Sequence, residues 1–70
     1  MKPEAEKYYK SSEEKFRAGD VEGGFADLDQ AIRSDPEDAT LYWERGVLRY
    51  EGDEFHLAVA DFTKVIELSN

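Results

Sequence analysis

The chain has 70 residues, with 9 Lys and Arg against 17 Asp and Glu, a formal net charge of −8, and no cysteine. A chain this short holds one small domain with a marginal core, so help from a partner or from self-association is expected. The composition excludes a disulfide scaffold, a thiolate nucleophile and a Cys-rich zinc site, and the negative field argues against nucleic acid and acidic membranes as partners.

Three turn signals, Ala18-Gly19-Asp20, Ser34-Asp35-Pro36 and Glu51-Gly52-Asp53, cut the chain into four segments of similar length. None of the four shows the sustained alternation of a strand, so the expectation is all-α, with helices near 4–18, 21–34, 37–51 and 54–68. The first segment has only Tyr8, Tyr9 and Phe16 as large apolar residues. Ser11, Ser12 and Lys15 stand where a packed helix would carry apolar side chains, which predicts an outer, partly solvated helix. In the second segment Phe25, Leu28, Ala31 and Ile32 form an apolar stripe, and Asp20 is placed to cap its start. Gly23-Gly24 in its first turns costs roughly 2 kcal/mol relative to alanine, and points either to close helix packing or to a hinge. The third segment is expected to open with Pro36 in its first turn, capped by Asp35, and the fourth to be capped by Asp53. Phe55, Ala58, Val59, Phe62, Val65 and Ile66 give the fourth segment a broad apolar face.

A shift of 34 residues, the separation of Tyr8 from Tyr42, pairs Ala5 with Ala39, Ala26 with Ala60, Asp27 with Asp61 and Ile32 with Ile66 as identities. Apolar residues pair with apolar ones at Tyr9/Trp43, Phe16/Tyr50, Val21/Phe55, Phe25/Val59, Leu28/Phe62 and Ala31/Val65. Trp43-Glu44-Arg45-Gly46, followed by Tyr50, Phe55, Ala58 and the run from Ala60 to Leu68, resembles the tetratricopeptide repeat (TPR) family, whose period is about 34 residues. Tyr8, Gly24, Leu28, Ala31 and Pro36 carry the weaker likeness of the first copy. The resemblance covers nearly the whole chain and implies one domain over 1–70, with repeats at about 5–38 and 39–70. Each repeat would be an antiparallel helical hairpin, and the pair a right-handed α-solenoid fragment. Ser11, Ser12 and Lys15 depart from the family pattern. The Gly-Asp turn also slips one place between copies, which predicts a second turn built differently from the first. An unrelated acidic four-helix bundle is the competing reading.

Catalysis is poorly supported: His56 is the single imidazole, and no Gly-rich phosphate loop is present. The acidic runs lack calcium-loop spacing and read as helix caps, so neither metal nor cofactor is expected. What the resemblance implies instead is a concave peptide-binding groove lined by the first helix of each hairpin. Its residues would be Tyr9, Glu13, Phe16 and Arg17 in the first copy, with Trp43, Val47, Tyr50 and Glu51 in the second. Trp43 and Tyr50 are read either as groove anchors or as packing between hairpins. Acidic and aromatic side chains there suit an apolar or basic peptide, and not a C-terminal carboxylate. The alternative function is self-assembly. Val59, Phe62 and Ile66 would form an uncovered outer face that pairs two chains, either about a two-fold axis or by hairpin exchange near Gly23-Gly24. No apolar stretch approaches the ~20 residues of a membrane span, and the N-terminus has no apolar signal core, so a cytoplasmic, non-enzymatic interaction module is expected.

Overall fold

A computed structural model, which describes residues 1–70, is all-helical, with four α-helices and no strand. They are α1 (Pro3–Arg17), α2 (Val21–Ser34), α3 (Ala39–Glu51) and α4 (Phe55–Leu68). α1 packs on α2 and α3 on α4, giving two helical hairpins that are separate compact units, Met1–Pro36 and Glu37–Asn70. No helix is long and apolar enough to cross a membrane.

Local chemistry accounts for the helix ends. Pro3 stands at the start of α1 with Glu4 and Glu6 in the first turn, and Lys15 and Arg17 occupy the last turn, all favourable to the helix dipole. α1 ends in a Schellman turn: Gly19 adopts φ +87°, its N–H donates to the Phe16 carbonyl at 3.1 Å, and the Asp20 N–H donates to the Lys15 carbonyl at 2.8 Å. The Asp20 carboxylate then caps α2 by accepting from the Gly23 N–H at 2.9 Å.

The second hairpin repeats this turn in the same register. Asp53 takes the left-handed position with φ +63°, its N–H reaching the Tyr50 carbonyl at 3.1 Å, and the Glu54 N–H reaches the Arg49 carbonyl at 2.8 Å. The expected one-place slip is therefore a change of residues and not of construction: Gly52, Asp53 and Glu54 fill the places of Ala18, Gly19 and Asp20. Asp53 does not cap α4. Glu54 holds the N-cap position, and its side chain makes no capping bond.

The start of α3 also corrects the sequence reading. Pro36 and Glu37 form a turn, α3 begins at Ala39, and its cap is Asp38, which accepts from the Thr40 N–H at 2.9 Å. Asp35 is engaged elsewhere. Its Oδ2 accepts from the N–H of Lys2, the residue that precedes α1, at 2.9 Å, so the carboxylate at the end of α2 closes the start of α1 within the first hairpin.

Each hairpin has its own small core. Ala5, Leu28, Ala31 and Ile32 are buried in the first, and Leu41, Tyr42 and Ala58 in the second. Both interfaces rest on a glycine beneath an aromatic ring. A Cβ on Gly24 of α2 would stand 2.7 Å from the Phe16 ring of α1, and a Cβ on Gly46 of α3 would stand 2.7 Å from the Phe62 ring of α4. Close approach is what Gly24 supplies, and Gly23 leaves room for the Asp20 cap, whose carboxylate a Cβ there would strike.

Candidate functional site: the apolar face of the second hairpin

Two kinds of constellation stand out, a buried carboxylate in each hairpin and an exposed apolar surface on the second. The carboxylates come first because they fix the helices that carry the surface.

Asp61 of α4 is buried and is gripped by two guanidinium groups of α3. Arg45 donates through Nε at 3.0 Å and Nη2 at 2.8 Å, and Arg49 donates through Nη1 at 2.9 Å. The Arg45 guanidinium also lies 5.8 Å from the centre of the Tyr42 ring. At the equivalent place in the first hairpin, Asp27 of α2 accepts from the Ser11 hydroxyl at 2.5 Å and from Lys15 Nζ at 2.9 Å, both on α1. Ser11 and Arg45 are 34 residues apart, as are Lys15 and Arg49, so the repeat preserves an acceptor and two donors while changing the donors' chemistry. The bond from Lys15, followed by that from Ser11, holds the Asp27 carboxyl below its ordinary range, and burial opposes them. The same Asp27 bond holds Lys15 above its ordinary value.

These contacts refine the expectation of a partly solvated helix at Ser11, Ser12 and Lys15. Ser12 is buried with its hydroxyl donating to the Tyr9 carbonyl at 2.6 Å, and Ser11 and Lys15 are half-buried against Asp27. The identity of Asp27 and Asp61 under the 34-residue shift was the available signal. Donors and acceptor lie 12 to 16 residues apart along the chain, beyond any local pattern.

The apolar surface is built by both helices of the second hairpin. On α3, Trp43, Val47 and Tyr50 recur at spacings of four and three, so they share one face. On α4, Phe55, Val59, Phe62 and Ile66 do the same. Ring contacts join the two stripes at both ends: Trp43 lies 5.2 Å from Phe62 between ring centres, and Tyr50 lies 5.3 Å from Phe55. The result is one continuous face. Five of its seven members are well exposed, with Trp43 at 52%, Tyr50 at 59%, Phe55 at 51%, Val59 at 62% and Ile66 at 66% of their full accessible surface.

The residues expected of a groove and those expected of a self-association face thus meet on one surface in this hairpin. Phe62 is the exception in its group, since its ring is half-buried between Trp43 and Gly46 and acts as the bridge between helices. Val47 is half-buried and Glu51 exposed at the C-terminal end of α3. In the first hairpin Glu13 and Arg17 are exposed, while Tyr9 and Phe16 are half-buried. Phe16 makes an edge-to-face contact with Phe25 at 5.2 Å besides covering Gly24. Its ring serves the hairpin interior, unlike Tyr50 at the matching position. Sequence reasoning missed Phe55 as a surface partner of Tyr50, and the signal that could have found it is its place at the head of the α4 stripe.

No family model, curated protein or solved structure matches the chain.

Proposed function

We propose that this protein is a non-enzymatic protein-interaction module whose binding surface is the apolar face shared by α3 and α4. The observation that carries the reading is the fusion of two exposed stripes through the Trp43–Phe62 and Tyr50–Phe55 contacts. Fully burying a side chain such as Val, Ile or Phe from full exposure contributes about 1.5–3 kcal/mol, and these residues have about half of that left to gain, so a partner must cover most of the face to offset the cost of association. Aromatic residues on such a face are efficient anchors because they offer large area with few rotatable bonds. The reading agrees with what the TPR resemblance implies, an interaction domain with aromatic residues on the first helix of the hairpin. Tyr9, Glu13, Phe16 and Arg17 of α1 belong to the first hairpin, where Phe16 is engaged with Phe25 and Gly24.

A second copy of the chain is the other occupant to test, because Val59 and Ile66, assigned above to self-association, are the most exposed members of the face. Both occupants use the same residues, so one pair of substitutions tests the surface. The Val59→Ser/Ile66→Ser variant is expected to keep its helical circular dichroism and to lose both self-association in sedimentation and the response of Trp43 emission to amphipathic peptides. A wild-type chain that stays monomeric at millimolar concentration, with Trp43 emission unmoved by every such peptide, would remove this reading.

A further inference from the structure

The rim of the apolar face has one sign of charge. Along α3, Glu44 and Glu51 each follow an aromatic of the face by one residue, which rotates them about 100° from it. This is the flank away from α4, because the opposite flank carries Gly46 and Arg49, which meet Phe62 and Asp61. Along α4 the same one-residue step places His56, Thr63 and Glu67 on the flank away from α3, and all three are exposed. Glu44, Glu51 and Glu67 form no ion pair within the chain. No cation of the second hairpin balances them: Arg45 and Arg49 are committed to Asp61, and Lys64 lies on the opposite side of α4 from Val59 and Ile66.

Backbone chemistry limits the shape of the partner. Both elements of the face are helices whose N–H and C=O groups are already bonded along their lengths, so an extended peptide would find no sheet edge to join. Affinity must come from side chains laid along two neighbouring helices. A third helix with an apolar stripe at spacings of three and four supplies these, and a helix flanked by Lys or Arg also meets Glu44 and Glu51 on one side and Glu67 on the other. A second copy would bring Glu44, Glu51 and Glu67 toward their own counterparts, with a net charge of −8 on each chain.

We propose that the apolar face of α3 and α4 docks a basic amphipathic helix of another protein, selected against acidic helices and against a second copy by Glu44, Glu51 and Glu67. This rests on the interaction reading above and adds the partner's chemistry to it. Three helical peptides with one shared Leu/Ile stripe test it, their flanks being Lys, Gln or Glu, each titrated against the whole chain with Trp43 emission as the readout. The Lys-flanked peptide should bind at least about tenfold tighter than the Glu-flanked one at low salt, and added salt should shrink that ratio. The Glu44→Gln/Glu51→Gln/Glu67→Gln variant, altered only outside the hairpin interior, should lose the ratio while binding the Gln-flanked peptide as before. Equal affinities for all three peptides, or a preference that survives the triple substitution, would overturn the inference and leave the interaction face standing. Self-association that excludes every peptide would overturn it in favour of the second copy. Absence of any binding, together with a monomer at millimolar concentration, would overturn this inference and the functional reading together.

Discussion

The two hairpins are built on one plan and finished differently. Each has a Schellman turn, a carboxylate on the second helix held by two donors of the first, and an aromatic ring over a glycine. In the first hairpin the carboxylate meets a hydroxyl and an ammonium, and the glycine lies on the second helix. In the second it meets two guanidinium groups, and the glycine lies on the first helix. Exposure differs as well: six of the eight exposed large apolar residues belong to the second hairpin, and only Met1 and Val21 to the first. A shared backbone plan therefore leaves the division between closed and open surface to a few side chains. Where Phe16 turns inward, Tyr50 stays out.

The sharpest way to break the comparison is at the carboxylates. Asp61→Ala strands two largely buried guanidinium groups and should destabilise by about 3 kcal/mol or more. Asp27→Ala leaves a lysine whose side chain is 42% exposed and can turn to water, so its cost should be about 1 kcal/mol. Urea unfolding followed by circular dichroism compares them, and Trp43 emission reports the second hairpin alone. Equal costs would show that the second arginine adds nothing.

Next in size are the glycines. Gly46→Ala drives a Cβ to 2.7 Å from the Phe62 ring and 3.2 Å from the Asp61 Cβ, while Gly24→Ala meets only the Phe16 ring. Overpacking costs about 1–3 kcal/mol, and alanine's better helix propensity returns about 1 kcal/mol. Gly24→Ala is therefore expected near the bottom of that range and Gly46→Ala above it, because Asp61 is fixed by its arginines. Combining Gly46→Ala with Phe62→Leu should cost less than the sum of the single changes, and strict additivity would show that ring and glycine do not touch in solution.

The outcome at these positions also shows where sequence reasoning reached its limit. Helix number and the two hairpins were legible because Gly, Pro and Asp mark turns and because Asp27 and Asp61 repeat at a fixed interval. The start of α3 was misread because Asp35 has two chain segments to choose from, and local pattern says nothing of Lys2 lying close by. Ser11, Ser12 and Lys15 looked solvated because polarity was taken for exposure, whereas a bonded hydroxyl or ammonium is accommodated in a hairpin interior. The face itself was half visible: period gave each stripe, but only the ring contacts showed that Trp43 and Tyr50 adjoin Phe62 and Phe55.

A smaller effect is expected at the turns. Replacing Gly52-Asp53 by Ala-Gly transplants the first hairpin's left-handed glycine and relieves Asp53 of that conformation, while the Asp20 cap stays particular to the first hairpin because Leu57 stands where Gly23 makes room for it. The gain should be about 1 kcal/mol in thermal or urea unfolding, and no gain would mean that Asp53 is unstrained there.

Acid should produce the mildest difference between the hairpins. The Asp27 carboxyl is held below its ordinary value of 3.8, so its contribution is complete above roughly pH 5 and is lost as pH falls through the lowered value. Unfolding midpoints measured across that range should drop for the wild type and flatten at the acid end for Asp27→Asn. An unchanged profile in the variant would mean that the Lys15 and Ser11 bonds are not kept in solution.

The opposite placement of the two glycines also bears on how the chain finds its fold. Four helices of similar length, two of them repeats of the others, invite wrong marriages. Were α1 to pair with α4 in the native register, Ser12 would stand where Gly46 makes room for the Phe62 ring, and Ala58 where Gly24 makes room for Phe16. Were α3 to pair with α2, Tyr50 could cover Gly24 as Phe16 does, but Gly46 would stand in for Ser12 opposite Leu28 and leave a gap there. One mismatch collides and the other is hollow. Each helix thus carries a key for its sequence neighbour and a penalty for its look-alike, which keeps a repeated chain from trading partners with itself.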